Sequence, residues 1–112
     1  MIPNKVKIAG IEYSVTEKHG LEQKHGLLGH VLYSLSEIEI DDRLNQDRKE
    51  QVLVHELLHA CFHEAGFEEQ DEEMINRISI VLYQVLKENH LAFGETVTTV
   101  GTDCSQKITM KY

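Results

Sequence analysis

Basic runs are missing from this sequence. Its 11 Lys and Arg stand against 19 Asp and Glu, a net charge of −8 with His neutral. Such a chain repels phosphate backbones, which argues against a nucleic-acid partner; the acidic balance is most simply solubility. Long apolar runs are missing too. No stretch approaches the roughly 20 apolar residues that span a bilayer, which argues against a membrane partner, and the opening MIPNKVKIAG lacks the apolar core of a signal peptide. Cysteine is scarce: Cys61 and Cys104 form neither a disulfide framework nor a C-x-x-C pair. The expected compartment is the cytoplasm, with Cys61 a buried small hydrophobe on a helix and Cys104 a free thiol in a polar tail. There is one proline, and no Pro/Ser-rich linker divides the 112 residues. The chain therefore reads as one domain over residues 1–90, followed by a tail or closing hairpin over 91–112.

What is present is ordinary globular material, with 41% hydrophobic and 27% charged residues. KVKIAGIEYSV (Lys5 to Val15) alternates on both sides of Ala9-Gly10 and predicts a hairpin. TEKHGLEQKHGLLG is a polar, glycine-marked connection. HVLYSL follows, then EIEID, in which Ile38 and Ile40 alternate with Glu37, Glu39 and Asp41 as in a half-buried strand. The acidic outer side predicts an edge strand guarded against pairing with other chains. Asp47 and Glu50 fit an Asp form of the capping box, so a helix is expected from about Arg48 to Ala65, stopped by Gly66. A second helix is expected from near Asp71 to about Asn89. ETVTTV and KITMKY, near the end, are Thr- and Val-rich.

The first of these helices carries VLVHELLHACFHEAGF. On a wheel of about 100° per residue, Val52, His55, Glu56, His59 and His63 share one side, and Val54, Leu57, Leu58, Cys61 and Phe62 cover most of the rest. That is a narrow polar stripe on a helix otherwise fit for burial, as expected of a central helix lining a cleft. His55, Glu56 and His59 spell H-E-x-x-H. Imidazoles four residues apart reach one ion, and zinc accepts them while leaving a position open for water. Glu56, offset by about 100°, can stand beside the ion without ligating it and take a proton from water whose pKa the ion lowers to roughly 7. His63 repeats the spacing, but two full steps along a straight helix separate it from His55 by about 12 Å, too far to share an ion. It reads as a helix-end histidine near the C-terminal dipole.

A third ligand must come from elsewhere, and the second helix opens with Asp71, Glu72 and Glu73. Its apolar stripe, expected to be core, is Met74, Ile75, Ile78, Val81, Leu82, Val85 and Leu86. Glu73 points nearly opposite that stripe. Asp71 fits an N-cap, whose carboxylate is occupied by its own backbone. Glu72 lies on the stripe's edge, in line with Ile75, Ser79 and Leu86. Glu72 is therefore the first choice, Asp71 the second and Glu73 the third. Asn76, a turn after Glu72, is placed to orient a ligating imidazole.

HELLH followed by EEMIN resembles the glutamate-liganded zincin metallopeptidases, and in particular the small bacteriophage-type and ImmA/IrrE-like group. The likeness spans about Gly26 to Asn89, in the order strand, strand ending in Asp, loop, active-site helix and second helix. It implies an α+β fold, a minimal zincin-like domain with a small, mostly antiparallel sheet packed on two main helices. It also implies a zinc ion (Zn2+) bound by His55, His59 and Glu72, Glu56 as general base, and an extended peptide or protein substrate added along the edge strand around Ile38 to Asp41. No counterpart is matched for Leu91 to Tyr112. The oxyanion-stabilising group stays open among His19, His25, His30, Tyr33, Tyr83 and His90. The expected function is a zinc-dependent peptidase. The alternative is a zinc-stabilised binding module of the same shape without turnover.

Overall fold

A computed structural model describes residues 2–91, so Cys104 and the segments ETVTTV and KITMKY lie outside the described residues. The chain opens with a hairpin, β1 (Lys5–Ile8) and β2 (Ile11–Lys18), paired antiparallel with Ile8 opposite Ile11. The two turn residues, Ala9 and Gly10, have φ of 54° and 82°. That double left-handed conformation gives the turn a twist matching the strands. The polar connection is more ordered than its composition predicts. β2 runs on to Lys18, and a short helix, α1 (Leu21–His25), follows, bounded by Gly20 and Gly26. Leu21 is its buried residue, an apolar anchor that the surrounding polar residues obscure.

β3 (Gly29–Leu32), a 3-10 turn (Tyr33–Leu35) and β4 (Glu37–Asp41) complete the sheet. The strand order is β1-β2-β4-β3. β4 pairs antiparallel with β3 and parallel with β2, so two of the three pairings are antiparallel. The expected edge strand is therefore an interior one, and β3 is the edge on that side. The acidic side chains of β4 do not guard an edge. Glu39 accepts a bond from His30 directly opposite it on β3, at 2.7 Å. Asp41 is buried and accepts from the backbone N–H groups of Glu22, at 2.7 Å, and Arg43, at 2.8 Å. These two donors hold its carboxyl below the usual range. Acidic residues here serve local bonding, a use that alternation alone cannot separate from solvation.

α2 (Gln46–Glu64) lies across one face of the sheet. It begins earlier than expected because Asn45 is the cap, accepting from the Arg48 N–H at 2.9 Å. Asp47 sits inside the first turn, where its charge still favours the helix dipole. Ala65 closes the helix and Gly66, at φ 98°, turns the chain away. The core comprises Ile8, Tyr13, Val15, Ile38 and Ile40 from the sheet with Val52, Leu53 and Ala60 from α2. Burying a side chain such as Ile38 or Ile40, both at 0% exposure, contributes about 1.5–3 kcal/mol. The Tyr13 hydroxyl donates to Glu64 at 2.6 Å, tying the end of α2 to the sheet.

α3 (Glu72–Asn89) starts on Asp71, which accepts from the N–H groups of Glu73 and Met74. It packs against α2 along a narrower line than its apolar stripe predicts. Ile75 and Ser79 are buried, whereas Met74, Ile78, Val81 and Leu86 are all at least 40% exposed. Ser79 permits close approach, its hydroxyl satisfied by the Asn76 carbonyl at 2.9 Å. Lower down, Glu50 of α2 accepts from Tyr83 and Lys87 of α3, each at 2.6 Å. The whole is α+β, a four-stranded mixed sheet against two main helices. Among the described residues no helix is long and apolar enough to cross a membrane.

Candidate metal centre

α2 brings His55 and His59 to the same side, one turn apart, with ring centroids 5.0 Å from each other. α3 enters from the neighbouring side. The buried line through Ser79 and Ile75 continues at its N-terminal end to Glu72, which aims the Glu72 carboxylate at α2. One of its oxygens lies 2.9 Å from His55 Nε2 and the other 2.9 Å from His59 Nε2. Ligand atoms of the three residues all fall within 4.8 Å of one another. A tetrahedral zinc with bonds of about 2.0–2.1 Å needs its ligand atoms roughly 3.3 Å apart, so a small outward movement of the Glu72 side chain would accommodate one. The two imidazoles are 16% exposed and Glu72 is 69% exposed, which leaves the group open on the solvent side.

The other candidates lie elsewhere. Asp71 is occupied as the α3 cap, and Glu73 pairs with Arg77 at 2.9 Å. His63 stacks on Tyr33, centroids 4.2 Å apart, and takes no part in the group.

His59 contacts an amide oxygen on one ring nitrogen and a carboxylate on the other. Its Nδ1 lies 2.6 Å from the side-chain oxygen of Gln70, which can only accept, a contact that favours the tautomer with the proton on Nδ1. In a neutral ring Nε2 then has a lone pair, facing a carboxylate oxygen at 2.9 Å. Two acceptors meet there in that state, and either a second ring proton or a cation between them relieves the contact. Neutral imidazole nitrogens plus a carboxylate are the ligand set of a catalytic zinc, and His55, His59 and Glu72 could hold a metal ion.

Glu56 is next to the group but not in it. It is 7% exposed, and that burial pushes its carboxyl up to about 7, the opposing pull of His59 being weaker. It lines two adjoining cavities. One, of about 260 Å³, runs between Leu27, Gly29, Val52, His55 and Asn76 toward Arg48. The other, of about 340 Å³, is bounded by β3, Tyr33, His55, His59 and Glu72. Gly29 of β3 lines both cavities. It makes the approach of β3 to α2 possible, since a Cβ there would lie 2.7 Å from Val52 Cγ1 and 3.0 Å from the Glu39 carbonyl oxygen.

Two expectations are corrected here. The residue that orients a candidate ligand is Gln70, in the link between the helices, and not Asn76, which lines the first cavity. The spacing of Asn76 from Glu72 put it on the right flank, but Gln70 is held across the α2–α3 turn, and no periodicity encodes that contact. Cys61, expected to be buried, is exposed, because α2 meets the sheet along the line of Val52, Leu53 and Ala60. Of the aromatic and histidine candidates, Tyr33 and His30 both line the second cavity, His30 also bonding Glu39. Tyr83 bonds Glu50, His19 pairs with Asp42, and His90 forms the α3 cap. Compared with protein families, with curated proteins and with solved structures, the chain finds no match in any of the three.

Proposed function

We propose that this protein is a zinc-dependent hydrolase acting on peptide bonds. The observation that carries the reading is the convergence of His55 Nε2 and His59 Nε2 on one carboxylate, Glu72, at 2.9 Å each, with the buried Glu56 at the junction of two cavities. Zinc, when bound, supplies a Lewis acid for a carbonyl oxygen and lowers the pKa of water. The chain's own residues do the rest. His55, His59 and Glu72 would hold the ion. Glu56, with its carboxyl raised toward neutrality, takes the proton of the attacking water and passes it to the leaving amine. β3, the sheet edge beside the group, offers backbone N–H and C=O groups to an extended peptide, which would lie across both cavities.

The test combines metal content with turnover. About one zinc per chain is expected, together with cleavage of a quenched fluorescent peptide library. Glu56→Gln is expected to keep the zinc and lose hydrolysis by ~10²-fold or more. Equal cleavage by that variant would rule out the mechanism. Zinc binding without cleavage of any library member, in wild type and variant alike, would instead favour a zinc-stabilised binding module.

A further inference from the structure

Three features near the metal centre are unused by the mechanism above: the third histidine of the α2 stripe, the Tyr33 hydroxyl, and the Gln70 amide. They are connected. The His63 ring stacks on the Tyr33 ring at 4.2 Å with 23° between planes. The Gln70 side-chain nitrogen donates to the Tyr33 hydroxyl at 3.4 Å, and the Gln70 side-chain oxygen accepts from His59 Nδ1 at 2.6 Å. The chain of contacts runs from the C-terminal turn of α2, through the 3-10 turn after β3, across the helix link, and back to α2 at His59. Gln70 also directly precedes the cap Asp71 and the ligand candidate Glu72. Three consecutive residues therefore orient an imidazole, cap a helix and offer a carboxylate.

We propose that Gln70 is a positioning residue of the metal centre, keeping His59 in the tautomer with the proton on Nδ1 and the Nε2 lone pair free for the cation, while Tyr33, braced by His63, anchors the Gln70 side chain beside His59. This rests on the reading of His55, His59 and Glu72 as a metal site. The chemistry of an amide makes the proposal specific. Turned by half a rotation, Gln70 would donate to Nδ1 instead. The proton would then sit on Nε2 and close His59 as a ligand. In the structure the amide oxygen faces Nδ1 at 2.6 Å and the amide nitrogen faces the Tyr33 hydroxyl at 3.4 Å; the hydroxyl, donor or acceptor, anchors the side chain, and the contact with His59 sets its sense. A carboxylate at position 70 has no donor face and could only accept. Partners at the far nitrogen of a ligating histidine commonly govern metal affinity by about 10–100-fold.

The experiment measures zinc affinity by chelator competition and reads the His59 tautomer from long-range ¹H–¹⁵N spectra of the full chain. Wild type is expected to show the Nδ1–H tautomer of His59, with Nε2 shifting on zinc addition. Gln70→Leu is expected to weaken zinc binding about 10–100-fold. Gln70→Glu should bind at least as tightly as wild type, and Tyr33→Phe should fall between wild type and Gln70→Leu. The Glu variant and the wild-type spectrum keep the proposal testable if Gln70→Leu folds poorly. Zinc affinity of folded Gln70→Leu within about twofold of wild type would overturn the proposal while leaving the metal site standing. So would a zinc-bound wild type with the His59 proton on Nε2. A wild type that binds no zinc would overturn the metal reading and this proposal with it.

Discussion

At the residue scale, similar side chains a position or two apart have different work. Asp71, Glu72 and Glu73 are consecutive acids at the start of one helix. The first caps the backbone, the second faces two imidazoles, and the third pairs with Arg77 on the outer side. The helix's angular step of about 100° per residue separates them. Glu72→Ala is therefore expected to weaken zinc binding severely, whereas Glu73→Ala should leave it within about twofold, since an exposed i,i+4 pair contributes only ~0.3–0.5 kcal/mol. Isothermal titration with zinc distinguishes the two. Equal losses would mean that the whole acidic turn, not one carboxylate, attracts the ion. The histidines divide in the same way, His55 and His59 meeting Glu72 while His63 supports Tyr33.

At the scale of elements, the site depends on how closely β3 and the two helices approach. β3 touches α2 where Gly29 faces Val52, and the space is too small for a Cβ. Gly29→Ala is expected to destabilise the fold by about 1–3 kcal/mol, as overpacking does, and to weaken zinc binding by displacing α2 from the edge strand. Urea unfolding and a zinc titration check both effects. A fully stable variant would show that the contact yields freely.

α2 and α3 are joined at their other ends by Glu50, which accepts from Gln46, Lys87 and Tyr83. Those donors, Gln46 first, lower its carboxyl to about 2. A depressed folded-state pKa means that the unfolded state binds the proton more readily, so the stabilisation is present above the ordinary carboxylate value near 4.5 and is lost as pH falls toward 2. Thermal melts of Glu50→Gln should accordingly show a smaller decline than wild type across that acid range. Parallel declines would indicate that the carboxylate is not held by these donors.

For the molecule as a whole, the fold's small size would make a bound metal ion a large stabilising partner. The sheet presents one face to α2, and α3 rests mainly on α2. Ile78, Val81 and other apolar side chains of α3 remain at the surface, so the apolar burial of the second helix is limited. An ion held jointly by His55 and His59 of α2 and Glu72 of α3 would crosslink the two helices. At a free zinc concentration about 100 times the Kd, the stabilisation is ~2.7 kcal/mol, which for a domain of this length is roughly a 10 °C rise in Tm. Differential scanning calorimetry should show this rise in wild type and not in His55→Ala or His59→Ala. A shift that survives both substitutions would place the stabilising ion elsewhere.

The sequence alone determined what is local. The hairpin about Ala9-Gly10, the α2 stripe of His55, Glu56 and His59, the α3 cap at Asp71 and the side of α3 on which Glu72 lies all follow from turn chemistry and helical angle, and these act within a few residues. Tertiary structure decided what depends on distant partners. β4 became an interior strand because β3 closed on its outer side, which alternation of Ile and Glu cannot reveal. Met74, Ile78, Val81 and Leu86 of the α3 stripe stayed exposed because one helix covers only one line of it, and Cys61 fell outside the contact of α2 with the sheet. Gln70 reached His59 only because the link between the helices folds back over α2. Periodicity fixes which side of its own element a side chain occupies, while its neighbours depend on how the elements pack, and that is settled by contacts far apart in the chain.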